Sequence, residues 1–442
     1  MRCLLVFATG LLAFAAEPLN ESYKATADRI IDVALAGNGA YQKLSYLCDR
    51  IGNRLSGSQS LGEAIEWAAA EMKKDGLENV ATPEVMVPHW VRGAERLALV
   101  APARRELVML GLGGSVATPK EGITADVVAV SSYDALERLG ADRVKGRVVL
   151  YNVPYAVYGH TVAYRASGAS RAAKLGAVAA LVRSVTPLSL QSAHTGQMVY
   201  DADAPKIPAA AVTIEGATLM QRLVEAGSTV RVHLEMSAET LPDAKSANVI
   251  GEIRGTDKAS EVVVIGGHID SWDVGQGAQD DGAGIVTCME AAAVLRKLGL
   301  KPHRTIRVVL FTNEENGGAG GLAYRAMVGD AVKNHFAAIE MDGGGEKPLG
   351  FGVAPKLLPQ ALEIGKLLDR IGAGSMTGGG GGADIGPLLK DGVPGLALRT
   401  VGTHYFDWHH SQADTVDKLD PQELRLNTAA IAVMTYVLAD MP

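Results

Sequence analysis

The sequence predicts an α/β protein: a mixed, mostly parallel sheet flanked by helices, with a second unit inserted into it. Three observations carry this. From residue 246 onward, short β-branched runs alternate with helical patterns, as βαβ units do. Across 107–234 the texture changes to closely spaced strand-like runs with few paired carboxylates or histidines. At 442 residues, the chain exceeds one simple core. The expected layout is a leader at 1–16, a main unit from 17–106 and 239–442, and an inserted, non-catalytic unit at 107–238.

The leader has Arg2, an apolar run, then Ala13, Ala15 and Ala16 before Glu17 and Pro18. This is the pattern of a secretory signal peptide, too short to span a bilayer. No later stretch is long and apolar enough to cross a membrane. Export to a periplasm or the outside of a cell is the expectation. The net charge of −7 leaves no basic footprint for nucleic acid. Once the leader is gone, Cys48 and Cys288 remain, both in apolar helical patterns, where buried free thiols are expected.

In chain order, 21–76 reads as helical. Ser60 with Glu63 has capping-box spacing, Lys73 and Lys74 fall in a last turn, and Gly76 ends it. The loop 52–58 is either a tight connector or the lining of a site. Residues 80–91 look extended. The inserted unit offers strands at 126–130, 147–151, 178–182, 209–214 and 229–234, and two short helices at 169–175 and 216–226. Its loop His194-Thr195-Gly196 is polar, so His194 is either solvated or able to reach a neighbouring site. The main unit then gives strands at 262–265, 305–312, 336–341 and 393–398 and helices at 319–328 and 357–371. A final helix has Asp420 as cap, Pro421 at its first position, and runs to Ala439.

Acids and imidazoles cluster after these strands. They are His268 with Asp270, Glu314 with Glu315, Glu340 with Asp342, and the loop from Tyr405 to His410. Asp280 and Asp281 precede a helix. Singly each has an ordinary explanation, such as a cap or a solvated pair. Jointly they belong to one edge of a parallel sheet, where ligands bind, and clustered carboxylates repel unless a cation holds them. Imidazoles with carboxylates suit zinc. The set exceeds the needs of one catalytic zinc and fits two zinc ions sharing a carboxylate, with one further carboxylate left as general base for a bridging water.

The motifs GGHIDSWDVGQGAQDDGAG, FTNEENGG, MDGG and WHHSQADT resemble those of the co-catalytic zinc exopeptidases related to bacterial leucyl aminopeptidase and glutamate carboxypeptidase II. The similarity runs over nearly the whole mature chain. It implies that His268 and Asp342 hold one zinc, Glu315 and His410 the other, and that Asp280 bridges them. His410 rather than His409 matches the family ligand because it directly precedes Ser411. Glu314 becomes the base. Asp270 becomes the acceptor of the second ring N–H of His268. The Asp280–Asp281 peptide is expected to be cis, and the inserted unit a protease-associated domain. The resemblance further implies hydrolysis of dipeptides or short peptides in carboxypeptidase or dipeptidase mode, and a homodimer.

Substrate contacts are less defined. Asp384, His194 and Tyr405 are candidates, and Arg54, Arg399 or the His194 loop could hold a substrate carboxylate. The glycines at 378–382 form either a substrate cradle or a connector; no Gly-Lys-Ser/Thr comes after them, so the run is not a phosphate loop. Two other classes compete: a different dinuclear metal hydrolase acting on phosphoesters or non-peptide amides, and a non-catalytic receptor-like protein on the same scaffold.

Overall fold

The computed structural model describes residues 17–442. The leader expected at 1–16 lies outside them. The main unit is built on an eight-stranded sheet in the order Glu78–Ala81, Val249–Ile253, Arg304–Phe311, Lys258–His268, His335–Glu340, Gly395–Thr400, Pro348–Val353, Ser375–Gly378. The four strands from Arg304–Phe311 to Gly395–Thr400 run parallel to one another, while antiparallel pairings flank them. The sheet is thus mixed and centrally parallel, as expected.

The run Val262–Ile265 is apolar at every position because both faces of its strand are covered. Val263 and Ile265 point into a core shared with helices Ala283–Lys297 and Pro421–Asp440. Val262 and Val264 face the opposite cluster with Tyr324 and Leu388. Asp420 caps the last helix by accepting from the Gln422 N–H. Cys48 and Cys288 are free and buried. No helix among the described residues is long and apolar enough to cross a membrane.

A second eight-stranded sheet has the order Arg105–Leu107, Glu95–Ala101, Arg231–Met236, Ile123–Val130, Val148–Tyr151, Ala179–Arg183, Ala209–Val212, Met109–Gly111. Its strands from Ile123–Val130 to Ala209–Val212 are also parallel. This sheet takes its first strand from Glu95, ahead of residue 107, where the sequence texture changes. A ribbon of Glu84–Val91 and Glu239–Ala247 forms the remaining sheet.

Several local expectations are corrected. The cap of Gln59–Lys74 is Ser58, which accepts from the Leu61 N–H, whereas Ser60 donates to the Asn53 carbonyl. Spacing alone places the cap two residues too late, because Ser58 and Ser60 are chemically interchangeable there. Helix Tyr158–Lys174 begins eleven residues before 169; its first turns carry His160, Arg165 and Ser167, whose polarity masks the helical period. Helix Tyr133–Val144, capped by Ser132, is absent from the sequence pattern, since Gly140 interrupts it with φ +65°. Strands Pro348–Val353 and Ser375–Gly378 are also absent from it, because proline and glycine dilute their alternation.

Candidate metal centre

The four central parallel strands all release their chains at one edge. His268 is the last residue of its strand. Glu314 and Glu315 come after Arg304–Phe311, Asp342 after His335–Glu340, and the loop carrying His409 and His410 after Gly395–Thr400. Neighbouring strands therefore deliver imidazoles and carboxylates side by side.

Asp280 comes from a turn that the fold clamps from two sides. The Asp414 carboxylate accepts from the backbone N–H groups of Ala278, Gln279 and Asp280 at 3.1, 2.7 and 3.2 Å. Arg54, fully buried, donates to the carbonyls of Ile269, Gly52, Gln276 and Gly277. Asp281 accepts from the His268 N–H and the Gly284 N–H, tying the strand end to the start of helix Ala283–Lys297. The Asp280–Asp281 peptide is cis, as expected.

Around Asp280 the geometry divides in two. Its Oδ1 lies 3.2 Å from His268 Nε2, which is itself 3.5 Å from Asp342 Oδ1. Its Oδ2 lies 3.1 Å from His410 Nε2, which is 3.0 Å from Glu315 Oε2. One carboxylate thus offers an oxygen to each of two imidazole–carboxylate pairs. Buried Glu315 Oε1 and Asp342 Oδ1 have no hydrogen-bond partner. Groups drawn from His268, Asp280, Asp281, Glu315, Asp342, His409 and His410 have ligand atoms mutually within 4.8 Å. Buried acids left unpaired at this density are costly. The mixed nitrogen and oxygen chemistry of this donor set fits zinc.

The electrostatics agree. Burial pushes the Glu314 carboxyl up to about 8, with the Asp342, Glu315 and Asp280 charges adding to it and His268 opposing. Burial, then Asp280, raises Glu315 to about 7. Burial pulls His410 down, but Glu315 and Asp280 outweigh it and raise it to about 10.

His409 stacks on His410 with ring centroids 3.5 Å apart, and its Nε2 is 3.4 Å from Asp280 Oδ2. Only His410 spans Asp280 and Glu315 together, which favours it among the two histidines.

Among the other candidate residues, Asp270 is placed differently from expectation. The Asp270 carboxylate does not serve the second ring nitrogen of His268. That nitrogen, Nδ1, is 3.0 Å from the Asp270 backbone carbonyl oxygen and 3.8 Å from the carboxylate. The carboxylate instead accepts from the N–H groups of Glu314 and Glu315 at 3.0 and 3.2 Å, because the chain turns its side chain toward the neighbouring strand end. His194 is 1% exposed, and its Nδ1 is 2.6 Å from the His409 carbonyl oxygen. It braces the histidine loop rather than opening to substrate. Tyr405 is half-buried with its ring 5.2 Å from that of His409. Asp384 is buried with neither carboxylate oxygen partnered, beside Glu340, which accepts from the Ile385 N–H. A Cβ at Gly382 would collide with the Glu340 carboxylate, so this glycine allows backbone to approach a side chain of the sheet.

Arg54 cannot receive a substrate carboxylate, since backbone carbonyls already occupy its guanidinium. Arg399 donates to Thr377 on the strand Ser375–Gly378. The loop 52–58 supports the site: Ser56 accepts from Asn313 next to the glutamate pair. The structure adds Asp414 and Arg165, whose positions the sequence patterns do not bring out. The signal for Asp414 is its place in the histidine motif; Arg165 has none, being a lone cation in a helix of another sheet.

A model described as Peptidase family M28 matches residues 248–435. The chain is 44% identical to carboxypeptidase Q of Xenopus laevis over 95% of this chain and 90% of that protein. It is 41% identical to carboxypeptidase Q of Homo sapiens, over 94% and 89% of the two. The solved structure of a peptidase M28 precursor from Shewanella amazonensis superposes with a TM-score of 0.92 at 33% identity, covering 95% of this chain and 97% of that one. A zinc aminopeptidase from Bacillus subtilis shares the fold, with a TM-score of 0.69 at 20% identity over 91% and 95%. Identity at this level across nearly the full length, with the same architecture, places the chain in peptidase family M28, among the relatives of carboxypeptidase Q.

Proposed function

We propose that the protein is an exported di-zinc metallo-exopeptidase that hydrolyses dipeptides or very short peptides in carboxypeptidase or dipeptidase mode. The observation that carries this is Asp280, whose two oxygens face two separate imidazole–carboxylate pairs. His268 and Asp342 serve one zinc, Glu315 and His410 the other, and Asp280 both. Bound there, zinc supplies Lewis acidity, which polarises a peptide carbonyl and brings the pKa of water to about 7.

The protein's own groups do the rest. Asp270 holds the Glu314–Glu315 backbone through two N–H groups, which fixes where Glu314 stands. Glu314 takes the proton of the attacking water and passes it to the leaving amine. Asp414 and Arg54 hold the Asp280 turn in place. The unit of the second sheet, which begins at strand Glu95–Ala101, acts as an inserted protease-associated domain whose His194 loop braces the histidine loop, the leader at 1–16 directs export to a periplasm or the medium, and the chain works as a homodimer.

The test is metal content measured alongside hydrolysis of a dipeptide panel with N-blocked and C-amidated analogues. Two zinc per chain, with cleavage abolished by chelation and by blocking one terminus, supports the reading. Two metals without cleavage of any peptide turns it toward another dinuclear hydrolase. Absence of bound metal after zinc loading leaves only a scaffold protein.

A further inference from the structure

Arg165 stands out as a cation without a counter-ion. It lies on helix Tyr158–Lys174 and is 7% exposed. Among the described residues, no aspartate or glutamate oxygen comes within 4.0 Å of its guanidinium. By contrast, Arg92 pairs with Asp273, and the Arg54 guanidinium is filled by carbonyls. Arg165 has only neutral partners. Its Nη1 is 3.2 Å from the Thr195 carbonyl oxygen and 3.3 Å from His410 Nδ1, and its Nη2 donates to the Tyr158 hydroxyl at 3.0 Å. Its Nε has no partner at all. Gly196 makes the slot: a Cβ there would collide with the guanidinium carbon.

A buried guanidinium without an anion is costly unless an anion arrives. The contact with His410 sharpens this. An imidazole that ligates through Nε2 keeps its proton on Nδ1 and cannot accept a hydrogen bond there. His410 as a ligand therefore offers Arg165 no acceptor, which leaves one Nη1 hydrogen short as well as Nε. The position also suits a short substrate. In a dipeptide the C-terminal carboxylate carbon lies within about 4 Å of the scissile carbonyl carbon, by ordinary bond lengths. Arg165 meets His410 at Nδ1, one ring's width from the nitrogen that faces Asp280 and Glu315, which puts a cation close to where such a carboxylate would lie.

The geometry points to Arg165 as the residue that receives the C-terminal carboxylate of the substrate, contributed to the centre by the second sheet's unit. This rests on the exopeptidase reading and deepens it: the required substrate feature is a free α-carboxylate one residue beyond the scissile bond. Arg165 binds and orients; it takes no part in proton transfer.

The test compares zinc-loaded wild type, Arg165→Met and Arg165→Lys on a dipeptide and its C-terminal amide, with zinc content measured on each. The wild type should prefer the free acid, through KM, by about 10- to 100-fold, the usual range for a charge-assisted carboxylate pair. In Arg165→Met that preference should collapse toward one with zinc retained, and Arg165→Lys should restore part of it. Loss of zinc, or an equal loss on acid and amide, would show that Arg165 acts only through His410 and overturn the assignment. Calorimetric binding of a dipeptide with its amide reduced to CH2–NH, against the same compound C-amidated, gives a second readout on wild type alone. Equal affinity for the two would also overturn it. Should wild type cleave no peptide, the exopeptidase reading fails, yet the acid–amide difference in binding still decides the carboxylate site.

Discussion

The two large sheets share a plan and differ in the residues that stand just past each strand. Each has four adjacent parallel strands between antiparallel edges. In the second sheet, those residues are Ser131 and Ser132, Asn152, Ser184 and Thr213. Their polar groups are used locally. Ser132 and Thr213 cap helices, Ser184 donates to the Val212 carbonyl, and Asn152 donates to Gln221. In the first sheet the strand ends carry His268 as a last residue, Asp342 two residues past its strand, and Glu314 with Glu315 three and four residues past theirs, and two buried carboxylate oxygens of this set go unpaired. One backbone architecture is compatible with a self-satisfied edge or with a charged one. Chemistry resides in those few residues, not in the sheet.

Breaking the charged edge should have the largest effect. Asp280→Asn removes the charge that both imidazole–carboxylate pairs share. It should abolish zinc retention and with it all peptide cleavage, read by metal analysis after gel filtration. Glu314→Gln is the sharper variant: both zinc ions should stay, while kcat falls at least roughly a hundredfold, the usual size of general-base catalysis. Near-normal turnover in that variant would remove Glu314 from its assigned role. Asp270→Asn touches no reacting atom. It weakens the hold on the Glu314–Glu315 backbone and should lower activity by about 10- to 100-fold, as supporting partners of metal ligands do.

His194 joins the two regions and gives a pH test. Burial lowers its imidazole to about 4, below an unfolded value near 6.5. Between these values the unfolded chain binds more protons, so stability rises with pH across the window. It is complete above about 6.5 and is lost as pH falls toward 4, by up to about 3 kcal/mol. In the metal-free protein, urea midpoints of His194→Gln should trace a flatter acid limb than wild type. At the neutral edge, Thr213→Ala removes only a helix cap and should cost about 1 kcal/mol of stability without changing zinc content. A loss of zinc there would mean that the two sheets are energetically coupled and that the second edge is not self-contained.

The sequence by itself determined the strand–helix order of the main unit and which residues gather at its edge. Apolar periodicity is local information, and a charged residue straight after an apolar strand has few other places to go. His268, Asp280, Glu315, Asp342 and His410 are legible on that basis and by their motifs. Tertiary structure alone decided how each group is turned and what stands behind it. Asp270 spends its carboxylate on the neighbouring strand's backbone, Arg54 disappears beneath the Asp280 turn, and His194 braces the histidine loop. Arg165 meets His410 across 245 residues of chain. Periodicity and spacing carry no record of contacts between remote segments. Side-chain direction at a strand end is set by whichever donor the folded neighbour presents, and that neighbour exists only after the sheets have formed.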